Sequence, residues 1–196
     1  IMLLHQPTPG VPAHLLEERT HPAWSRIKFD ELLAQQLSMR LHYQQRYKNL
    51  APTLLYKKKL TNELLKSLPF NLTGAQEKTF SEISQDLSKP YPMQRLLQGD
   101  VGSGKTIVAA LAALQAIENG YQVAFMAPTE ILADQHYQKL SNWFKSIFGS
   151  LGISIAWLSG SQKKVQRTAT LSAIATGNAM LVVGTHALFQ EQVEFN

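Results

Sequence analysis

Cysteine is absent from the 196 residues, which excludes disulfides, thiolate zinc sites and cysteine nucleophiles within this chain and fits a reducing compartment. No apolar run approaches the roughly 18 residues that a membrane-spanning helix requires. The opening stretch, IMLLHQPTPGVPAH, lacks the basic start and small-residue cleavage site of a secretory signal. A cytoplasmic protein is therefore expected. Acids are few: the only aspartates are Asp30, Asp86, Asp100 and Asp134, and no apolar run ends in the Asp-Glu pair that would position a divalent cation for hydrolysis. Internal repeats and low-complexity tracts are also missing. With 44% hydrophobic residues the chain can nevertheless bury a core.

What is present is unevenly spread. The net charge of +5 lies entirely in the first third: residues 1–69 hold 10 Lys and Arg against 5 acids, and residues 70–196 hold 9 of each. A basic arm beside a neutral domain suits a polyanion partner, and equally a solvated helical face. Residues 1–24 contain four of the nine prolines and read as loop. From Ser25 the spacing of Phe29, Leu32, Leu33, Leu37 and Leu41 predicts a long helix reaching Leu50, and a second helix is expected over Asn62–Leu68 before Pro69.

After Pro69 apolar runs alternate with amphipathic stretches. The pattern predicts helix Thr73–Leu87 capped by Thr73, strand Arg95–Gln98, helix Gly104–Glu118, strand Gln122–Met126 and helix Glu130–Phe148. Strand Ser154–Leu158, helix Gln162–Thr176 and strand Ala179–Val183 follow. Short apolar strands separated by helices imply an α/β fold, a parallel sheet covered on both faces.

The stretch LLQGDVGSGKTIVAA, Leu96–Ala110, carries the strongest chemical signal. Within it GDVGSGKT satisfies every fixed position of the phosphate-binding pattern GxxxxGKS/T, between a predicted strand and a predicted helix. Its glycines permit backbone dihedrals that let successive N–H groups converge on phosphate oxygens, and the helix dipole points at the same anion. Gly99, Asp100, Val101, Gly102, Ser103 and Gly104 would cradle the triphosphate of ATP. Lys105 would reach its outer phosphates and Thr106 would take a place on Mg2+, which makes these two the candidate catalytic residues.

Several motifs around this loop resemble those of the first motor domain of superfamily 2 helicases and translocases. LPFNLTGAQ is similar to their Q motif, and the resemblance implies that Gln76 reads the adenine edge while Phe70 packs near the base. APTEILADQH, Ala127–His136, is similar to motif Ia, VVGTHALFQ, Val182–Gln190, to motif Ib, and WLSGS, Trp157–Ser161, to a loop between them. Within that superfamily the combination looks most like the bacterial enzymes that remodel stalled forks and Holliday junctions in repair and recombination. The resemblance implies a RecA-like P-loop NTPase fold with an N-terminal helical extension. It divides the chain into an exit segment of a wedge domain (1–24), a basic helical linker (25–69) and the first part of motor domain 1 (70–196), ending before the acidic Mg2+ motif. It implies branched or duplex DNA as partner, contacted by Pro128, Thr129 and Glu130 and by Gly184, Thr185 and His186. The wedge and the second motor domain would be partners that this sequence does not contain, so nucleotide binding without turnover is expected of it.

Other readings stay open at this stage. Thr129 and Thr185 also suit plain helix caps. His136 and His186 lack companions at metal-ligand spacing. Lys57, Lys58 and Lys59 fit a DNA contact or a wet surface. Trp24, Trp143 and Trp157 fit core packing. Another translocase of the superfamily, such as the transcription-repair coupling factor, or a nucleotide-binding module that never hydrolyses, would share the loop.

Overall fold

A helix that is apolar on nearly every side cannot remain on a surface, so the run TIVAALAALQAI decides where the core lies. In the computed structural model, which describes residues 2–196, Ile107, Val108, Leu111, Leu114 and Ile117 of this run are all buried. The chain divides into two units, one ending at Ala51 and the other running Pro52–Asn196.

The first unit contains α1 (Met2–His5), α2 (Ala13–Glu17) and α3 (Pro22–Lys48). Two short helices thus occupy the stretch expected as loop, and α3 begins before Ser25. Pro22 explains the early start, because its fixed φ suits the first helical position. His21 Nδ1 accepts from the Ala23 N–H at 3.1 Å, and Trp24 Nε1 donates to the Leu16 carbonyl at 3.0 Å. The apolar residues that predicted α3 do not form a buried stripe: Phe29, Leu32, Leu33, Leu37 and Leu41 are all exposed.

The second unit comprises α4 (Lys59–Ser67), α5 (Gly74–Leu87), α6 (Lys105–Glu118), β1 (Val123–Met126), α7 (Glu130–Leu151), β2 (Ser154–Leu158), α8 (Lys164–Ala175), β3 (Ala179–Gly184) and a 3-10 turn, His186–Phe189. The sheet is three-stranded in the order β1-β3-β2, and both pairs are parallel. Val123 faces Leu181 and Phe125 faces Val183 on one side, while Trp157 faces Val183 on the other. Two parallel neighbours explain the continuous apolar run of β3, whose Leu181, Val182 and Val183 are buried. Phe144 and Leu140 of α7 and Leu114 of α6 fill the core with Leu181 and Val183, while Val182 joins a second cluster with Leu158 and Ile174.

One expectation is corrected. Arg95–Gln98 is not a strand, and the sheet has three members rather than four. Local apolar character is not enough, since a strand exists only through its ladder. Among the described residues this segment has no ladder partner, and Leu96 is 87% exposed. The division into compact units falls at Pro52. Helix α4 belongs with the sheet because Leu60 and Leu64 are buried in the same core as α6 and α7. The extended segment before α4 is held there by polar bonds: the Leu54 N–H donates to Leu87 O at 3.0 Å, and buried Gln115 Nε2 donates to Leu54 O at 2.7 Å.

Leu64→Ala should lower the unfolding free energy of the second unit by about 2–5 kcal/mol in urea denaturation. Leu32→Ala, on exposed α3, should stay within about 0.5 kcal/mol of wild type. A small effect at Leu64 would return α4 to the status of a linker.

Candidate nucleotide-binding loop and nucleic-acid rim

Parallel strands send the loops that follow them to one edge of the sheet. The Ala127–Thr129 turn after β1, the Ser159–Lys163 loop after β2 and Thr185 after β3 therefore share a rim. Helix α6 joins β1 through a short turn, Asn119–Gln122, so its amino end lies on that side too.

That amino end is preceded by the glycine-rich loop. Gly102 and Gly104 have φ of +83° and +80°, a region that side-chain-bearing residues avoid. Ser103 N–H donates to Asp100 O at 3.2 Å, which closes the turn. Gly104 caps α6 without a side-chain hydrogen bond, and the first turn of α6 contains no acid. Its N–H groups and dipole are thus directed at an anion site. Lys105 Nζ lies over the loop, donating to the Gly99 and Asp100 carbonyls at 2.7 Å each. Thr106 stands in the first turn of the helix, and Val101 is fully exposed.

Helix α5 holds the far end of the loop. Thr73 and Gln76 form a capping box: Thr73 Oγ1 accepts from Gln76 N–H at 3.3 Å, and Gln76 Oε1 accepts from Thr73 N–H at 2.9 Å. The other end of the same amide, Nε2, donates to Ser103 O at 2.9 Å. A Cβ on Gly104 would run into that Nε2, and one on Gly99 would meet Ser103 Oγ at 2.8 Å. Gly104 needs glycine for its φ of +80°, whereas the Ser103 hydroxyl could turn away from a Cβ at position 99. The loop's donors suit a triphosphate: backbone N–H groups and one mobile ammonium, with no acid in the first turn of α6. Among the described residues no group of three or more His, Cys, Asp or Glu could hold a metal ion. A cation at this site would have the Thr106 hydroxyl and the nucleotide's own phosphates as ligands. Phe70 is 44% exposed, available for contact with a flat ring.

On the rim, Thr129 caps α7 by accepting from Leu132 N–H at 3.3 Å, with Pro128 before it. Glu130 is tied across the sheet. Its carboxylate accepts from Ser161 Oγ at 2.8 and 3.0 Å and from Ser161 N–H at 3.4 Å. The Ser161 hydroxyl is the main reason its pKa falls below the usual carboxylate range, aided by the Ser161 N–H, Ser159 and the nearby His186. Arg167 of α8 extends the link, donating to Ser159 O at 3.2 Å and to Gln190 Oε1 at 2.6 Å. One polar chain thus joins the loops after β1, β2 and β3. Arg167 was invisible to motif reading because its partners lie on other elements.

Gly184 packs so tightly that a Cβ would collide with Leu158 O, and Thr185 is only 3% exposed, which leaves His186 as the accessible side chain of that trio. His136 stacks on Phe125 with ring centroids 5.0 Å apart, and burial pushes its pKa down. Trp157 packs against Tyr137, and Trp143 lies under Lys139.

A family model described as DEAD/DEAH box helicase matches residues 73–195. The chain is 53% identical, over its whole length, to a protein of Haemophilus influenzae named ATP-dependent DNA helicase RecG, and 50% identical over 98% of its length to the protein of that name from Escherichia coli. It covers 28% and 27% of those proteins. A solved structure of RecG bound to a three-way DNA junction matches 95% of this chain with a TM-score of 0.78 at 37% identity, and the chain covers 28% of it.

Because Glu130 has its pKa lowered by the Ser161 bonds, the tie they form is complete at neutral pH. It should be lost as the pH falls through that lowered value. In an NMR titration Ser161→Ala should move the Glu130 pKa up, toward the ordinary carboxylate range. An unchanged value would mean that the tie is not made in solution.

Proposed function

Since the chain belongs to the DEAD/DEAH box helicase family, we propose that it is the nucleotide-holding part of an ATP-dependent helicase or translocase that remodels branched DNA in repair and recombination. The observation that supports this best is the loop Gly99–Thr106, set at the bare amino end of α6 and clamped by Gln76. In this reading the loop N–H groups and Lys105 hold the β- and γ-phosphates of ATP, and Thr106 contributes a hydroxyl to Mg2+. Gln76 reads the adenine edge by exchanging one of its present partners, and Phe70 lies beside the base.

The rim is the DNA side. Thr129 and the amino end of α7 offer backbone donors to a phosphate, with Pro128 setting the turn before them, and His186 is the accessible member of the Gly184, Thr185 and His186 trio after β3. Glu130, counted with this group on sequence grounds, acts here by shaping the rim, since its carboxylate would repel a phosphate and already accepts from Ser161. The motor's force would come from a difference in DNA affinity between nucleotide states. With no Asp-Glu strand end in its sequence, this chain by itself binds nucleotide without turning it over, in the cytoplasm, as one part of a longer machine.

Titration of a fluorescent ATP analogue with Mg2+ into the chain should show saturable binding that weakens at least about tenfold in Lys105→Ala, with no phosphate release. Binding that ignores Lys105→Ala would sink the phosphate-cradle assignment. Release of phosphate would mean that a catalytic acid acts from an unsuspected position.

A further inference from the structure

We infer that Arg95 is a positioning residue for the nucleotide-binding loop, fixing the chain that enters the loop to the same helix that fixes its exit. This rests on the nucleotide-binding reading above and adds to it a residue that lies outside the phosphate-binding pattern.

The chain enters the loop through Arg95–Gln98. Leu96 is 87% exposed and contributes no anchor, whereas Leu97 packs at the margin of the core. The polar anchor is Arg95. Its Nε and Nη2 donate to Asp86 Oδ2 at 2.9 and 2.6 Å, and its Nη1 donates to Glu82 Oε2 at 2.8 Å.

Glu82 and Asp86 are one turn apart on α5, so they present two carboxylates to a planar, forked donor. The fork distinguishes Arg95 from a loose surface pair: three N–H groups are satisfied by two acids on a rigid helix, with the guanidinium side chain only 32% exposed. Lys89 Nζ also donates to Asp86, through the other carboxylate oxygen at 2.6 Å, and these cations keep the Asp86 pKa below the ordinary range.

The same helix begins at Gly74, and Gln76 in its first turn donates to Ser103 O. Asp86 lies ten residues further along α5, about 15 Å at the rise of an α-helix. Helix α5 therefore holds the loop at both ends: through Arg95 four residues before Gly99, and through Gln76 at Ser103. Since a phosphate cradle works only when its N–H groups converge, displacement of the entry segment by a fraction of an ångström would spoil the convergence without removing any contacting group.

The test uses the whole chain and the same fluorescent ATP analogue with Mg2+. Arg95→Ala should weaken binding about fivefold to tenfold, and amide exchange over Gly99–Thr106 should quicken, at a temperature where thermal melting shows the variant fully folded. Arg95→Lys, which keeps the charge and loses the fork, should fall between Arg95→Ala and wild type. Asp86→Asn should follow Arg95→Ala, and covers the case in which that variant fails to fold. Lys89→Ala, which removes a cation from Asp86 and leaves the Arg95 fork in place, should remain within about twofold of wild type. If wild type binds, Lys105→Ala does not, and the Arg95 and Asp86 variants match wild type, this inference is overturned while the nucleotide site stands. A wild-type chain that binds no nucleotide overturns both.

Discussion

The architecture turns on β3. Among the described residues it is the one strand with a neighbour on each side, and it closes against β2 so tightly at its carboxyl end that Gly184 has no room for a Cβ beside Leu158 O. Parallel pairing on both sides aligns the ends of β1, β2 and β3, and with them the residues that follow. Glu130, Ser161 and Gln190 can be linked through Ser159 and Arg167 only because the register brings those ends level. A slip of one residue would turn every strand's side chains over and break that link.

The glycine-rich loop depends on a different kind of restraint. Its floor is apolar, the buried face of α6, but its shape is set by hydrogen bonds made to backbone atoms by side chains from elsewhere: Gln76 on Ser103 and Lys105 on Gly99 and Asp100. Side-chain amides and ammonium groups can exchange partners at small cost, since each bond lost to a loop carbonyl is replaced by one to a ligand oxygen. A loop held in this way is shaped in advance and still able to yield to an anion. The glycines that allow the shape would give no defined geometry without those donors.

Much of this was legible in the sequence. Strand Ser154–Leu158 and the Thr73 cap lie where spacing and capping chemistry place them, because both are written in adjacent residues. The glycine-rich loop was legible for the same reason: backbone dihedral demands show directly in residue type. Arg95–Gln98 was misread because strand identity is a property of a pair, and one segment's composition cannot report its partner. The apolar residues of α3 predicted a helix, and the helix formed, but they stay exposed because burial depends on what stands opposite. Gln115 shows the reverse, a polar residue in an apolar helix that is fully buried because its amide holds the Leu54 and Ser84 carbonyls. Glu130 belongs with these cases, since its partner Ser161 lies on another loop.

The charge asymmetry changes meaning once the fold is known. Much of the excess in the first third comes from Lys57, Lys58, Lys59 and Lys66 against the single acid Glu63, and these residues belong to the α/β unit. Lys57 Nζ donates to the carbonyl of Glu118, the last residue of α6, where a cation satisfies an orphan acceptor and opposes the negative end of the helix dipole. Lys58 adopts a left-handed φ of 67° at the cap of α4 and sets its ammonium 5.8 Å from the Tyr56 ring centroid. Lys57 therefore has work within the fold at the carboxyl end of α6, and Lys58 at the start of α4. A basic residue at one end of α6 and phosphate-seeking N–H groups at the other follow from one dipole. The lysine run is accordingly better explained by the helices it borders than by a nucleic acid it contacts.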